Sequence, residues 1–179
     1  MNYPRIIGSL LTLAILAHAS PALALAGGPT LSTQTSQATV TTGSEFTATI
    51  LIDTKTYSVT AAELNISFPS DKLQAISITA GQFLPTVLVP GSTGSGVAQI
   101  TVASGTTAKQ GTGTLATITF RALSSGVAQI GFSNSTLVAA TGQTGNVVDT
   151  MTPATVTLSG GTVVASSTPV SAVAPSATP

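Results

Sequence analysis

Cysteine and tryptophan are absent from this 179-residue chain, and histidine occurs once, as His18. Without cysteine there is no disulfide, no thiolate nucleophile and no Cys-rich zinc or iron–sulfur site. Charge is almost as scarce. Five Lys+Arg face five Asp+Glu, 6% of the chain, for a net charge of zero. Nucleic-acid binding needs clustered basic residues, so that class of partner is excluded.

Residues 1–26 have the form of an export signal. Arg5 supplies a short positive start. Ile6 to Ala17 is an apolar run shorter than the ~20 residues of a membrane span, and Pro21 follows it. Ala22-Leu23-Ala24 and Ala24-Leu25-Ala26 are small-x-small cleavage sites. Cleavage is expected after Ala26, with Ala24 as the alternative site and an uncleaved N-terminal anchor as the competing reading. Removing the signal removes Tyr3, Arg5 and His18. The remaining 153 residues have a net charge of −1, no His, and Tyr57 as their one tyrosine. Fifty of them are Ser or Thr, a composition that favours strands and turns over titrating groups.

Alternation with a period of two runs through the remainder, the signature of half-buried strands. Glu45 to Asp53 places Phe46, Ala48, Ile50 and Ile52 on one face. Glu63 to Phe68 does the same with Leu64, Ile66 and Phe68, and Leu73 to Ala80 with Ile76 and Ile78. Val97–Val102 points Ala98, Ile100 and Val102 inward. Ala116–Arg121 points Ala116, Ile118 and Phe120 inward, and Val127–Phe132 points Ala128, Ile130 and Phe132 inward. Shorter strands are expected near Leu31–Val40, Val87–Val89, Leu137–Ala139, Ala154–Leu158 and Gly161–Val164. Thr42-Gly43-Ser44, Pro69-Ser70-Asp71, Pro90-Gly91-Ser92, Gly111-Thr112-Gly113 and Ser124-Ser125-Gly126 punctuate them as turns. No sustained 3.6-residue apolar period occurs after the signal. The pattern predicts an all-β sandwich of about nine strands in two packed antiparallel sheets.

Gly96-Val97-Ala98-Gln99-Ile100 recurs as Gly126-Val127-Ala128-Gln129-Ile130. One echo does not make a repeat protein; it reads as two similar strands of one sheet, with Gln99 and Gln129 in equivalent phase. From Ala165 to Pro179 the text is uncharged and rich in Ala, Ser, Thr and Pro, which reads as an extended linker or tail. It ends free or glycosylated, or leads to an anchor or second domain. The expected organisation is signal 1–26, sandwich 27–164 and tail 165–179.

The residues after the signal cannot assemble Ser-His-Asp or Cys-His machinery and offer no soft ligand for zinc or copper. No S-x-x-K spacing supports a Ser-Lys pair. Glu45, Asp53 and Glu63 fall on outward strand positions, and Asp71 and Asp149 in loops, so no carboxylate pair for glycoside hydrolysis is expected. No D-x-D-x-D/N run marks a calcium site. Asn65-Ile66-Ser67 and Asn134-Ser135-Thr136 match the glycosylation triad, a frequent chance match in so Ser/Thr-rich a chain. Tyr57 is a poor stacking platform for sugars and is expected half-buried in a loop. Neither an enzyme nor a cofactor is expected.

Several stretches resemble, in order, the cohesin domain. Val40-Thr41-Thr42-Gly43-Ser44-Glu45-Phe46 is similar to the family's early V-x-x-G-x-x-F. Ala61 to Leu73, through Ile66-Ser67-Phe68-Pro69-Ser70-Asp71-Lys72-Leu73, is similar to its strand-to-turn segment. Gly113-Thr114-Leu115-Ala116-Thr117-Ile118-Thr119-Phe120 is similar to its late G-x-L-x-x-I-x-F strand. Gly126–Phe132 and Gly160–Val164 follow in order, so the likeness spans roughly Leu31–Val164. Two departures stand out: Pro69 follows Phe68 where the family has an acid, and Ser44 stands where Asp is common. The resemblance implies a nine-stranded jelly-roll and a secreted, non-catalytic module that captures a dockerin, a small calcium-dependent helical module of another protein. It implies a partner face made of Glu63, Asn65, Ser67, Gln99, Thr101 and Gln129. The alternatives are a polysaccharide-binding module and a structural surface-layer or pilus-like domain.

Overall fold

Alternating apolar and hydroxyl side chains along the chain produce strands whose apolar faces close on one another. A computed structural model describes residues 27–161. The signal, the linker and residues 162–164 of the expected last strand lie outside them. Twelve strand segments are present: β1 (Thr30–Thr35), β2 (Thr39–Thr41), β3 (Glu45–Asp53), β4 (Val59–Ser67), β5 (Leu73–Ala80), β6 (Thr86–Gly94), β7 (Val97–Ala103), β8 (Thr112–Ala122), β9 (Gly126–Phe132), β10 (Leu137–Ala140), β11 (Thr150–Thr152) and β12 (Ala154–Ser159). One sheet has the order β11-β1-β3-β8-β5. The other runs β2-β12-β9-β4-β7-β6, with β10 also paired to β4. No helix interrupts them among the described residues.

Three pairs of segments are consecutive pieces of one run. β1 and β2 switch sheets across Ser36–Ala38, and β11 and β12 switch at Pro153, whose missing N–H cannot continue a ladder. β9 and β10 lie end to end along β4, separated by residues 133–136. β1 pairs parallel with β11 and β2 parallel with β12, so the first and last strands of the sandwich lie side by side.

The inward positions read from the alternation are buried in β3, β4, β7 and β8. Phe120 is at the centre. Its ring stacks on Phe46 at 5.6 Å between centroids and meets Phe68 edge-on at 5.0 Å. Phe132 is only partly buried, at the end of β9. Ile76 departs from the expected phase and is 44% exposed. The β5–β8 register shifts between Ala75 and Ser77, so Ile76 is the extra residue of a bulge and turns outward while Ile78 stays in the core. Pro90-Gly91-Ser92 is not a turn between strands; it lies inside β6, where the register against β7 shifts twice. A Cβ at Gly91 would sit 2.3 Å from the carbonyl oxygen of Ile78, so this close approach requires glycine.

Thr33 points into the sandwich from β1, and its buried hydroxyl has no partner. Thr33→Val keeps the shape and removes an unpaired polar group. It should raise the unfolding free energy by about 1 kcal/mol, read from the denaturant midpoint. A lower midpoint would show that the hydroxyl is satisfied.

Candidate functional site

β4 is the central strand of its sheet, and all six residues expected on a partner face lie on it or on β7 and β9, the strands beside it. The registers Glu63↔Thr101 and Asn65↔Gln99 bring four of them into one block on β4 and β7. Ser67 is at the end of β4. Gln129 lies on β9 opposite Thr155 of β12, beyond the rows where β9 meets β4. The two echoed segments flank β4 as β7 and β9, and Gln99 and Gln129 are both exposed in equivalent phase.

The face divides into two depressions. One, of about 220 Å³, is lined by Glu63, Asn65, Gln99 and Thr101 on its floor and by Val89, Pro90 and Ser92 of β6 on its side. The other, of about 580 Å³, takes in Ser67 and Gln129 with Phe68, Phe132, Met151 and Pro153. The apolar wall supplied by β6 has no counterpart in the six-residue set. Its sequence signal was the run Val87-Leu88-Val89, whose side chains are 45%, 58% and 55% exposed.

Asn65 occupies an outward strand position yet is only 3% exposed. Residues 133–136 are longer than the stretch of β4 they span and fold over it. The Thr136 hydroxyl accepts from the Asn65 N–H at 3.2 Å and donates to the Asn65 carbonyl at 3.1 Å, standing in for a missing ladder bond. The Ser133 N–H also donates to that carbonyl, at 2.8 Å. The Asn65 side chain is tied as fully. Its Nδ2 donates to Ser135 O at 3.1 Å and to Glu63 Oε1 at 3.3 Å, and its Oδ1 accepts from Gln99 Nε2 at 2.6 Å. Asn65 is thus a buried organiser that holds Glu63 and Gln99, not itself an open contact. Its amide is equally closed to glycosylation in the fold, whereas Asn134 is exposed. Asn146 locks the far side of β10, accepting from Val138 N–H at 2.9 Å and donating to Thr136 O at 3.0 Å.

Charge is sparse around this face. Lys55 pairs with Asp53 at 2.5 Å, Lys72 with Asp71 at 3.6 Å and Arg121 with Glu45 at 2.9 Å, all away from it. The hydrogen bond from Lys55 holds the Asp53 carboxyl below the usual carboxylate range. Among the described residues no group of three or more His, Cys, Asp or Glu could hold a metal ion. The face has hydroxyls, amides, one carboxylate and apolar walls. It can bind by shape, hydrogen bonds and desolvation.

A family model described as the cohesin domain matches residues 30–158. No curated protein matches the chain. Among solved structures, the cohesin module of a family 33 glycoside hydrolase from Clostridium perfringens superposes with a TM-score of 0.62 at 19% identity. That match covers 76% of this chain and 98% of that one. A non-cellulosomal cohesin from the archaeon Archaeoglobus fulgidus gives 0.60 at 15% identity, over 74% and 92%. A type II cohesin of Acetivibrio cellulolyticus, solved in complex with an X-dockerin, gives 0.59 at 17% identity, over 73% and 99%.

Proposed function

The chain belongs to the cohesin family, and from that premise we propose that it is an exported module whose β6–β7–β4–β9 face docks a dockerin-type partner. Cohesin domains are non-catalytic interaction modules, so its work is to hold a molecule, not to transform one. Export through residues 1–26 and a sandwich running to about Val164 are parts of the same proposal.

The observation that carries this reading is the unequal dressing of the two sheets. The β3–β8–β5 sheet presents a run of hydroxyls outward, Thr47, Thr49, Thr117, Thr119 and Thr79, interrupted by Ile76 at the β5 bulge and by the Glu45–Arg121 pair. The other sheet sets exposed Val89, Val127 and Leu137 among its amides and hydroxyls. Apolar side chains surrounded by amides and hydroxyls are the layout of a non-obligate protein interface, an apolar centre inside a polar rim. A rigid sheet loses little side-chain entropy when a partner seats on it. The complex of the Acetivibrio cellulolyticus type II cohesin with its X-dockerin supports the choice of partner class.

Direct polysaccharide binding has less support. Tyr57 is half-buried and packs against the core, and no aromatic ring among the described residues is fully exposed. Titrating the purified chain with dockerin modules encoded in the same genome should show at least one complex with a Kd in the micromolar range or below, roughly −8 kcal/mol or stronger. No heat and no mobility shift with any of them, for a folded protein, would reject the proposal. Pull-down on insoluble glycans is expected to leave the chain in the supernatant, with or without Tyr57→Ala.

A further inference from the structure

We infer that the partner places a lysine or arginine side chain against Glu63, at the heart of an otherwise neutral contact; this rests on the docking proposal above and specifies its chemistry. Glu63 carries the one formal charge on the outer face of β4, β6, β7, β9, β10 and β12 among the described residues. Of the four cations among the described residues, Lys55, Lys72 and Arg121 are paired with Asp53, Asp71 and Glu45 away from this face, and the fourth, Lys109, makes no ion pair with Glu63. The chain therefore presents a carboxylate with no counter-charge of its own in the middle of its most apolar exposed face.

The surroundings of Glu63 are arranged for such a contact. Leu137 stands directly opposite it on β10 and is 44% exposed, while Val89 and Pro90 rise on the β6 side of the same depression. A partner seated there would strip water from the carboxylate, and a desolvated charge without a counter-ion is costly. The Asn65 amide already binds Oε1, and Asn65 is itself fixed by Gln99 and Ser135, so the carboxylate is oriented before any partner arrives. A positive side chain satisfies both requirements. A partner bringing an acid, or only apolar groups, to this spot would be rejected, so the lone charge acts as a specificity element more than as a source of affinity.

The test uses the full chain, with Glu63→Gln and Glu63→Lys, against each dockerin module encoded in the same genome, prepared with calcium. Glu63→Gln should melt like the parent and bind roughly tenfold more weakly. The parent complex should weaken as NaCl rises from about 0.05 to 0.5 M, and the Glu63→Gln complex should weaken less. Changing the dockerin's Lys and Arg residues to Glu one at a time should reveal one change that restores binding to Glu63→Lys. If the parent binds but Glu63→Gln binds equally well with the same salt dependence, the inference is overturned while the docking reading stands. If no dockerin binds the folded parent, the docking reading itself falls.

Discussion

Phe120→Ala should lower the unfolding free energy by about 3–5 kcal/mol, the range for deleting a large aromatic side chain from a packed core. Phe120 is fully buried on β8 and touches the rings of Phe46 from β3 and Phe68 at the end of β4. It thus joins the two sheets. Its removal takes away the ring's transfer free energy and both ring–ring contacts, each worth about 0.5–1.5 kcal/mol beyond area. The sandwich is held on every side by ladders, which limits how far the cavity can collapse. Thermal melting should show a fall in Tm on the order of 10 °C or more. Phe120→Leu, which keeps most of the volume, should lose much less. A melt unchanged by Phe120→Ala would mean that the three rings do not pack as a unit.

Thr136→Val should cost about 1–3 kcal/mol, because an isosteric methyl replaces a hydroxyl bonded to a buried backbone. With it gone, the Asn65 N–H has no acceptor and the Asn65 carbonyl keeps only the Ser133 N–H. The damage should also reach the partner face. Residues 133–136 hold the Asn65 amide through Ser135, and Asn65 holds Glu63 and Gln99, so dockerin affinity should fall along with stability. Thr136→Ser keeps the hydroxyl and should retain affinity at a small cost in stability. The decisive measurements are the denaturant midpoint and the dockerin Kd of the two variants side by side. Equal midpoints for Thr136→Val and the parent would show that the turn is held by other contacts.

These two residues also mark where the sequence could and could not be read. Phe120 was legible because burial in a strand writes a period of two into the text, and Ala116-Thr117-Ile118-Thr119-Phe120 follows it without interruption. The inward faces of β3, β4 and β7 were legible for the same reason. Asn65 was placed on the correct face but given the wrong exposure. Its burial comes from a turn seventy residues later in the chain, and strand periodicity carries no information about what folds across a strand. Ile76 was misplaced because a bulge changes phase without changing composition. The Val87–Val89 wall looked like an ordinary short strand. Only the pairing of β6 with β7 shows Val89 beside Glu63. The lack of imidazole and thiol after the signal pointed away from catalysis, but the choice of a docking role over other binding roles came from the ordered family motifs, not from any single residue.

The parallel pairing of the outermost segments has a mechanical consequence. Tension applied through the two ends of the sandwich pulls β1 and β2 one way and β12 the opposite way. Since β2 and β12 run in the same direction, as do β1 and β11, their hydrogen bonds are loaded together in shear instead of being unzipped one at a time. Any load carried from one end of the sandwich to the other would strain this double clamp first. Survival under pull would then follow its rate of rupture, not the equilibrium stability of the fold.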